Sequence, residues 1–343
     1  MSNPSLPKIF IIILNWNGKQ DTLACLESLN QLRYRNYHTI LVDNGSTDGS
    51  VEVITERFPQ VHCLPLAQNM GFSGGNNAGI EYALKLGADY VLLLNNDTVV
   101  APDLLEAFLE GFAAYPDAGI LGARIYLFDR QAQGNASLTQ TLDHLGGIWL
   151  KKQGLTQLVG NREKEPFSDA YIPLDYACGA CIMIKRAVID AIGTLEPLYF
   201  LYWEDADFCM RAKAAGYQVL SSPKAKIWHK VSASVVGGKT HASYFSWRGR
   251  LLWIHRHYKP SEKAALYLRI ILPEILALFF RVLRRTLAIS ALSLICPDTD
   301  YSKRKHHLRR SRAELTGVCH YFLKRFGKGP SWIYTNASQQ DIL

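Results

Sequence analysis

The chain has 343 residues, with 38 Lys and Arg against 30 Asp and Glu, for a formal net charge of +8. Hydrophobic residues make up 48% and charged residues 20%, a balance that suits a sizeable buried core and excludes disordered, collagenous and disulfide-scaffolded chains. The charge is uneven: residues 1–244 hold 20 basic and 24 acidic residues, whereas residues 245–343 hold 18 and 6. A mildly acidic body therefore leads into a strongly basic tail, and an anionic partner is expected at the tail alone. Seven cysteines, odd in number and sparse, give no disulfide framework, and the first eight residues lack the pattern of a signal peptide. A reducing, cytoplasmic setting is the expectation.

Ile9–Leu14 is a continuous run of large apolar residues, which predicts a strand buried on both faces. Leu23, Leu26, Leu29 and Leu32 share a helical spacing and place a helix over Asp21–Leu32. Thr39–Val42 reads as a second strand, closed by the turn Asp43-Asn44-Gly45-Ser46. A helix over Gly74–Leu86, a strand over Tyr90–Leu94 and a helix over Pro102–Tyr115 follow, the last with proline near its first turn. This alternation implies a parallel α/β sheet, in which ligands sit beyond the carboxyl ends of the strands. Residues 131–169 have weak periodicity and are expected to be loops over the sheet's edge. Tyr176–Ile184 resumes as a strand, Glu204–Ala215 as a helix stopped by Gly216, and a strand-like segment leads to His229.

The tail contains the most apolar region, Ala264–Cys296, interrupted by Arg269, Glu274, Arg281, Arg284 and Arg285. Its longest uncharged piece, Thr286–Pro297, falls short of the ~20 residues that a spanning helix needs. On a helical wheel over Lys263–Arg285 the charges share one half and Leu, Ile, Ala and Phe fill the other. That pattern fits either a helix lying in a membrane interface or one packed on the protein's own body, with Pro273 kinking or dividing it.

The strand ends carry the candidate chemistry. Asp43 can accept hydrogen bonds from a nucleobase or ribose, or close an Asx-turn. The glycine-rich Asn69–Asn77 opens a helix, where free amides can receive a diphosphate; it is not the dinucleotide fingerprint G-x-G-x-x-G. Asn95-Asn96-Asp97 puts one carboxylate and two amides at a strand end, a donor set that a hard divalent cation accepts and that also suits a helix cap. Glu204-Asp205-x-Asp207 gathers three carboxylates, whose repulsion raises the pKa of at least one member, as a general base requires. Asp207 precedes Arg211 by four residues, a helical ion pair, which leaves Asp205 as the chemical group. Cys178-Gly179-Ala180-Cys181 lacks a second pair to complete a zinc site.

Taken in order from Ile13 to His229, these segments resemble the inverting family 2 glycosyltransferases, and among them the bacterial rhamnosyltransferase-like members that build surface polysaccharide. The resemblance rests on Asn15-Trp16-Asn17, the Val42–Ser50 turn, Asn69-x-Gly71-Phe72-x-Gly74-Gly75-Asn76, Leu93–Asp97, Gly179-Ala180-Cys181, Glu204-Asp205-x-Asp207 and His229. It implies a GT-A fold, Rossmann-like with a mostly parallel sheet flanked by helices, over residues 1–244, followed by a basic amphipathic helical region over 245–343. It further implies a nucleotide-sugar donor held by Asn15, Trp16, Asn17, Asp43, Asn44, Asn69, Gly71, Gly74, Asn95, Asn96, Gly179 and Glu204. Asp97 and His229 would hold Mg2+ or Mn2+, and Asp205 would be the general base. The acceptor would be a hydroxyl of a glycan, expected to be lipid-linked, met at an anionic membrane surface on the cytoplasmic face. One position departs from the family's D-x-D: Asn95 replaces its first carboxylate, so the site carries one negative charge fewer. The rival readings are a nucleic-acid binder using the basic tail, for which no recognisable module is present, an inactive scaffold, and a nicotinamide enzyme without its fingerprint.

Overall fold

A computed structural model describes residues 6–132, 134–164, 168–230, 239–296 and 299–334. In it β1 (Ile9–Asn15), β2 (Tyr37–Asp43), β3 (His62–Pro65) and β4 (Tyr90–Asn95) run parallel in the order β3-β2-β1-β4. Their crossovers are α1 (Lys19–Leu29), α2 (Ser50–Arg57) and α3 (Gly71–Lys85). Ile9 to Ile13 and Val91 to Leu94 are fully buried, as expected of parallel strands covered on both faces. The glycines of α3 serve this packing. A Cβ on Gly75 would stand 2.3 Å from Leu14 Cδ1, and one on Gly79 would stand 2.5 Å from Ile12 Cγ2, so their absence lets the helix press onto β1.

The chain continues through β5 (Thr98–Val100), α4 (Leu104–Ala114), β6 (Ala118–Phe128), β7 (Leu138–His144), β8 (Gly146–Leu150), β9 (Leu155–Val159) and β10 (Ile172–Pro173), with β8 and β9 forming a separate two-stranded sheet. After these come β11 (Cys181–Lys185), α5 (Arg186–Ile192), α6 (Glu204–Ala214) and β12 (Gln218–His229). The order across the sheet is β10-β12-β6-β11-β4-β1-β2-β3, with β7 paired to β6 and β5 to β12. β11 is antiparallel to both neighbours, and β12 is parallel to β6. The parallel α/β sheet expected from the sequence is thus present, with an antiparallel insertion at its centre.

Two expectations need correction. Residues 131–169 hold β7, β8 and β9, short and partly exposed strands without the continuous buried apolar runs of the parallel ones. The strand expected over Tyr176–Ile184 begins only at Cys181, because Cys181 N donates to Cys178 O at 3.2 Å and closes a turn through Gly179.

Residues 150–155 and 198–203 group with the described residues from 239 onward as a second compact unit. It contains α7 (Thr240–His257), α8 (Pro260–Leu266), a π-helical turn (Tyr267–Ile271), α9 (Leu272–Ile295) and α10 (Ser302–Phe322). α7 runs unbroken through residue 244. Pro273 sits in the first turn of α9, where its missing N–H costs little, and the helix widens to the π form immediately before it. Some of the tail's positive charge is internal. Arg248 is 1% exposed and donates to Tyr199 O at 3.2 Å, while Arg250 donates to Gly154 O at 2.9 Å and pairs with Glu274 at 2.5 Å. Phe200, Tyr202 and Trp203 all have positive φ (66°, 66° and 76°), a strained run held by Trp203 Nε1 donating to Ser246 O at 3.0 Å.

Candidate active site

The carboxyl ends of β1 and β2 are tied together by side chains. Asn15 is fully buried, and its Nδ2 donates toward Asp43 Oδ1 (2.8 Å), Ser50 Oγ (2.8 Å) and Ser46 Oγ (3.1 Å). Its Oδ1 accepts from Thr22 Oγ1 (2.9 Å) and Gly18 N (3.2 Å). With both amide ends used, Asn15 braces the loop. Asp43, 3% exposed, accepts from Asn15 on one oxygen and from Ser46 N (3.0 Å) on the other, which leaves carboxylate lone pairs over. Asn17 adopts a positive φ of 52° and fixes the facing turn through Thr47 N at 2.8 Å. Trp16 between them is 41% exposed.

Asn44 and Asn69 also turn inward. Asn44 accepts from Met70 N (2.8 Å) and donates to Gly71 O and Asn69 Oδ1 (3.1 Å each), while Asn69 accepts from Gly71 N (2.8 Å). Two amides at the start of α3 are therefore already occupied. Gly71 takes its positive φ of 75° to enter the helix, and Gly74 makes room for Met70, whose Cβ would lie 2.8 Å from an added methyl. Asn15, Asn44, Asn69, Gly71 and Gly74 thus frame the ligand side of the sheet.

The end of β4 meets the end of β12. His229 pairs in register with Thr98, and Lys230 N donates to Asp97 O at 2.8 Å, which brings His229 Nε2 to 3.1 Å from Asp97 Oδ1. On the other side of the ring, Asp143 Oδ2 of β7 lies 3.7 Å from His229 Nδ1. Burial alone would push this imidazole down, but the Asp97 and Asp143 carboxylates raise it to about 10. Both carboxyls ionise against the cost of burial and are held below their usual range, Asp97 chiefly by His229 and Asp143 by His229, His144 and Arg162. Asp143 has no place in the sequence reading, because it lies in the segment taken for loops. The segment reads Leu-Thr-Gln-Thr-Leu-Asp-His, without the apolar alternation that marks a strand.

Asn96 donates to Thr22 Oγ1 at 2.9 Å and so joins this corner to the Asn15 network, an approach that Gly18 permits by lacking a Cβ. The carboxamide of Asn95 makes no hydrogen bond among the described residues. Once His229 gives up its proton, the donor set suits a hard cation: one carboxylate, one imidazole and a free amide oxygen. His229 Nε2 and Asp97 Oδ1 stand 3.1 Å apart as an ion pair, which a bound cation would replace. Among the described residues no three His, Cys, Asp or Glu side chains gather to hold a metal, so the remaining positions would fall to substrate or water.

Asp205 stands beside the same strand end. Asn95 N donates to Ala180 O at 2.9 Å, and the preceding residue, Gly179, gives its N–H to Asp205 Oδ2 at 3.1 Å. Asp205 Oδ1 accepts its second bond from Ala206 N at 2.8 Å. A Cβ on Gly179 would meet the Phe72 ring at 3.0 Å, and the Gly179 amide orients Asp205. Burial raises the Asp205 carboxyl, and two backbone N–H groups partly offset that. Its neighbour Glu204 is 5% exposed, with Oε2 buried and without a hydrogen bond. Burial and the adjacent Asp205 charge push it well above the carboxylate range. Both carboxyls are raised by burial, Glu204 the further, while the Gly179 and Ala206 amides favour the charge on Asp205. Asp207 is fully buried and paired with Arg211 at 2.8 Å, a structural ion pair. Burial raises the thiols of Cys178 and Cys181, which keeps them protonated.

The Glycosyl transferase family 2 model matches residues 10–193, from β1 through α5, and ends before Asp205 and His229. An N-acetylglucosaminyl-diphospho-decaprenol L-rhamnosyltransferase of Mycobacterium tuberculosis is 27% identical over 235 residues, covering 64% of this chain and 75% of the relative. A dTDP-rhamnosyl transferase, RfbF, of Shigella flexneri is 22% identical over 225 residues, covering 65% and 69%. Among solved structures, the mannosyltransferase PcManGT of Pyrobaculum calidifontis, determined with GDP-Man and Mn2+, superposes with a TM-score of 0.55 at 14% identity over 94% of this chain and 89% of its own. That likeness gives the fold, GT-A. Because the family model spans more than half of the chain, including the strand ends that carry Asp43 and Asp97, the chain belongs to glycosyl transferase family 2 and is a glycosyltransferase.

Proposed function

We propose that this glycosyltransferase inverts the configuration of a sugar taken from a nucleoside-diphosphate donor, with Asp205 as general base and Asp97 and His229 as protein ligands of Mg2+ or Mn2+. The observation that carries the reading is the placement of Asp205, whose two carboxylate oxygens are aimed by the Gly179 and Ala206 amides beside the end of β4, next to a buried Glu204 whose carboxyl is pushed well above its usual range. Asp205 takes the proton of an acceptor hydroxyl while that oxygen bonds to the anomeric carbon from the side opposite the leaving group. The bond from the anomeric carbon to the diphosphate oxygen breaks in the same displacement, and its electron pair leaves with the nucleoside diphosphate. When bound, the divalent ion offsets the negative charge that gathers on that leaving group.

Asp43 uses its remaining lone pairs to accept from the nucleotide base or ribose, with Trp16 and Asn17 flanking it. The two bacterial relatives support a deoxyhexosyl donor, dTDP-rhamnose, and a lipid-linked glycan acceptor. No described helix is long and apolar enough to cross a membrane, so we place the enzyme at the membrane surface, on the cytoplasmic face, where such an acceptor is presented. A thermal-shift screen of dTDP-, UDP- and GDP-sugars with and without Mn2+ tests the donor reading. Stabilisation by one donor, dependent on Mn2+, is expected; no stabilisation by any donor under either condition overturns it.

A further inference from the structure

Helix α9 is built inside out for a water-soluble protein. A surface helix normally turns its apolar stripe to the core and its charges to solvent. In α9 Leu278 is the one buried residue, and Glu274 and Arg285 are half-buried while most of its other leucines stand exposed. Glu274 pairs with Arg250, Arg281 with Glu314 at 3.6 Å, and Arg285 donates to His307 O at 2.8 Å. Leu272, Leu276, Phe280, Leu283, Leu287 and Leu294 all point outward, from 42% exposed at Leu272 to 84% at Leu294. At ~100° per residue these six fall within an arc of about 80°. A stripe of this kind along a helix about 36 Å long exceeds what a monomer leaves in water without a use.

The borders of the stripe identify what covers it. Arg284 flanks it and is exposed, Arg269 is exposed on the π-helical turn just ahead of it, and Lys303, Arg304 and Lys305 are exposed at the start of α10. The one acid of α9, Glu274, is taken up by Arg250. Two copies meeting through the stripe would bring arginine borders together without exposed acids to match them. A lipid surface carrying anionic headgroups takes both features at once, acyl chains against the leucines and phosphates against the arginines.

We infer that α9 is an in-plane membrane anchor that buries its Leu272–Leu294 stripe in the interface of an anionic bilayer. This deepens the membrane-surface reading above and names its device, and it does not depend on the identity of donor or acceptor. The anchor lies along the bilayer without crossing it, since its uncharged length is too short to span.

The test is flotation of the full chain with vesicles of equimolar phosphatidylglycerol and phosphatidylcholine, comparing wild type with the triple variant Leu276→Ser, Phe280→Ser, Leu287→Ser. All three side chains are exposed, so the variant is expected to fold, which circular dichroism checks. Its partition is expected to fall at least ~100-fold. A second protein, Phe280→Trp, is expected to show a blue-shifted emission that brominated lipid quenches. Wild-type binding with an undiminished triple variant and an unquenched tryptophan overturns the anchor and leaves the membrane-surface reading standing. Failure of the wild type to float overturns both. A wild-type dimer in lipid-free buffer that the triple variant dissolves, without flotation of either, assigns the stripe to a second copy and overturns the inference.

Discussion

Replacing Glu204 by glutamine is expected to stabilise the protein increasingly as pH rises. Glu204 is 5% exposed, its Oε2 has no hydrogen bond, and its native pKa stands well above the ordinary value. The unfolded chain releases this proton near pH ~4.3, whereas the native state retains it to higher pH. The unfolded state therefore binds fewer protons throughout that window, and wild-type stability declines with pH by up to ~1.4 kcal/mol per unit until the native group ionises. Below the unfolded pKa the group costs nothing. Glutamine keeps the neutral shape and removes the slope. The Tm difference between Glu204→Gln and wild type is thus small at pH 5 and grows toward pH 8, by about 2–4 °C for each kcal/mol in a domain of this size. Calorimetric or fluorescence melts at half-unit pH intervals read it directly. A pH-independent difference, or a variant that loses stability as pH rises, would refute the reasoning that Glu204 is protonated in the native state.

Asn15→Ala removes a buried amide that serves Asp43, Ser46, Ser50, Thr22 and Gly18, and is expected to cost about 2–4 kcal/mol, seen as a shifted urea midpoint with unchanged m. Gly79→Ala forces a methyl to within 2.5 Å of Ile12 Cγ2, and about 1–3 kcal/mol of destabilisation is expected in the same assay. Asp143→Asn takes away the carboxylate behind His229. Apparent Mn2+ affinity, followed by donor-dependent thermal shift, is expected to weaken ~10–100-fold while the metal-free melt moves little.

What the sequence discloses about this site follows from how the sheet is buried. β1, β2 and β4 are covered on both faces, so their continuous apolar runs are visible, and the polar residues Asn15, Asp43 and Asn95–Asp97 mark their ends. β7 is only partly buried and mixed in composition, which hides it and with it Asp143. The roles of Asn15, Asn44 and Gly179 are also hidden, because bracing and ligand contact use the same donors and acceptors and differ only in what stands opposite. Asn15 meets Asp43 across 28 residues and Gly179 meets Asp205 across 26, pairings that no local pattern encodes. For α9 the wheel displays two faces but not which one turns inward. That is decided by Arg250 and Glu314, which lie on other helices and receive its charges.

The general-base assignment rests on Asp205, and one substitution isolates it. Asp205→Asn keeps the size and an acceptor oxygen for Gly179 N, so the fold and the donor site are expected to persist while the proton acceptor is lost. Transfer from the donor identified by thermal shift, measured alongside donor binding for the same preparation, is expected to fall by at least ~100-fold with donor affinity unchanged. Wild-type turnover by Asp205→Asn would contradict the assignment.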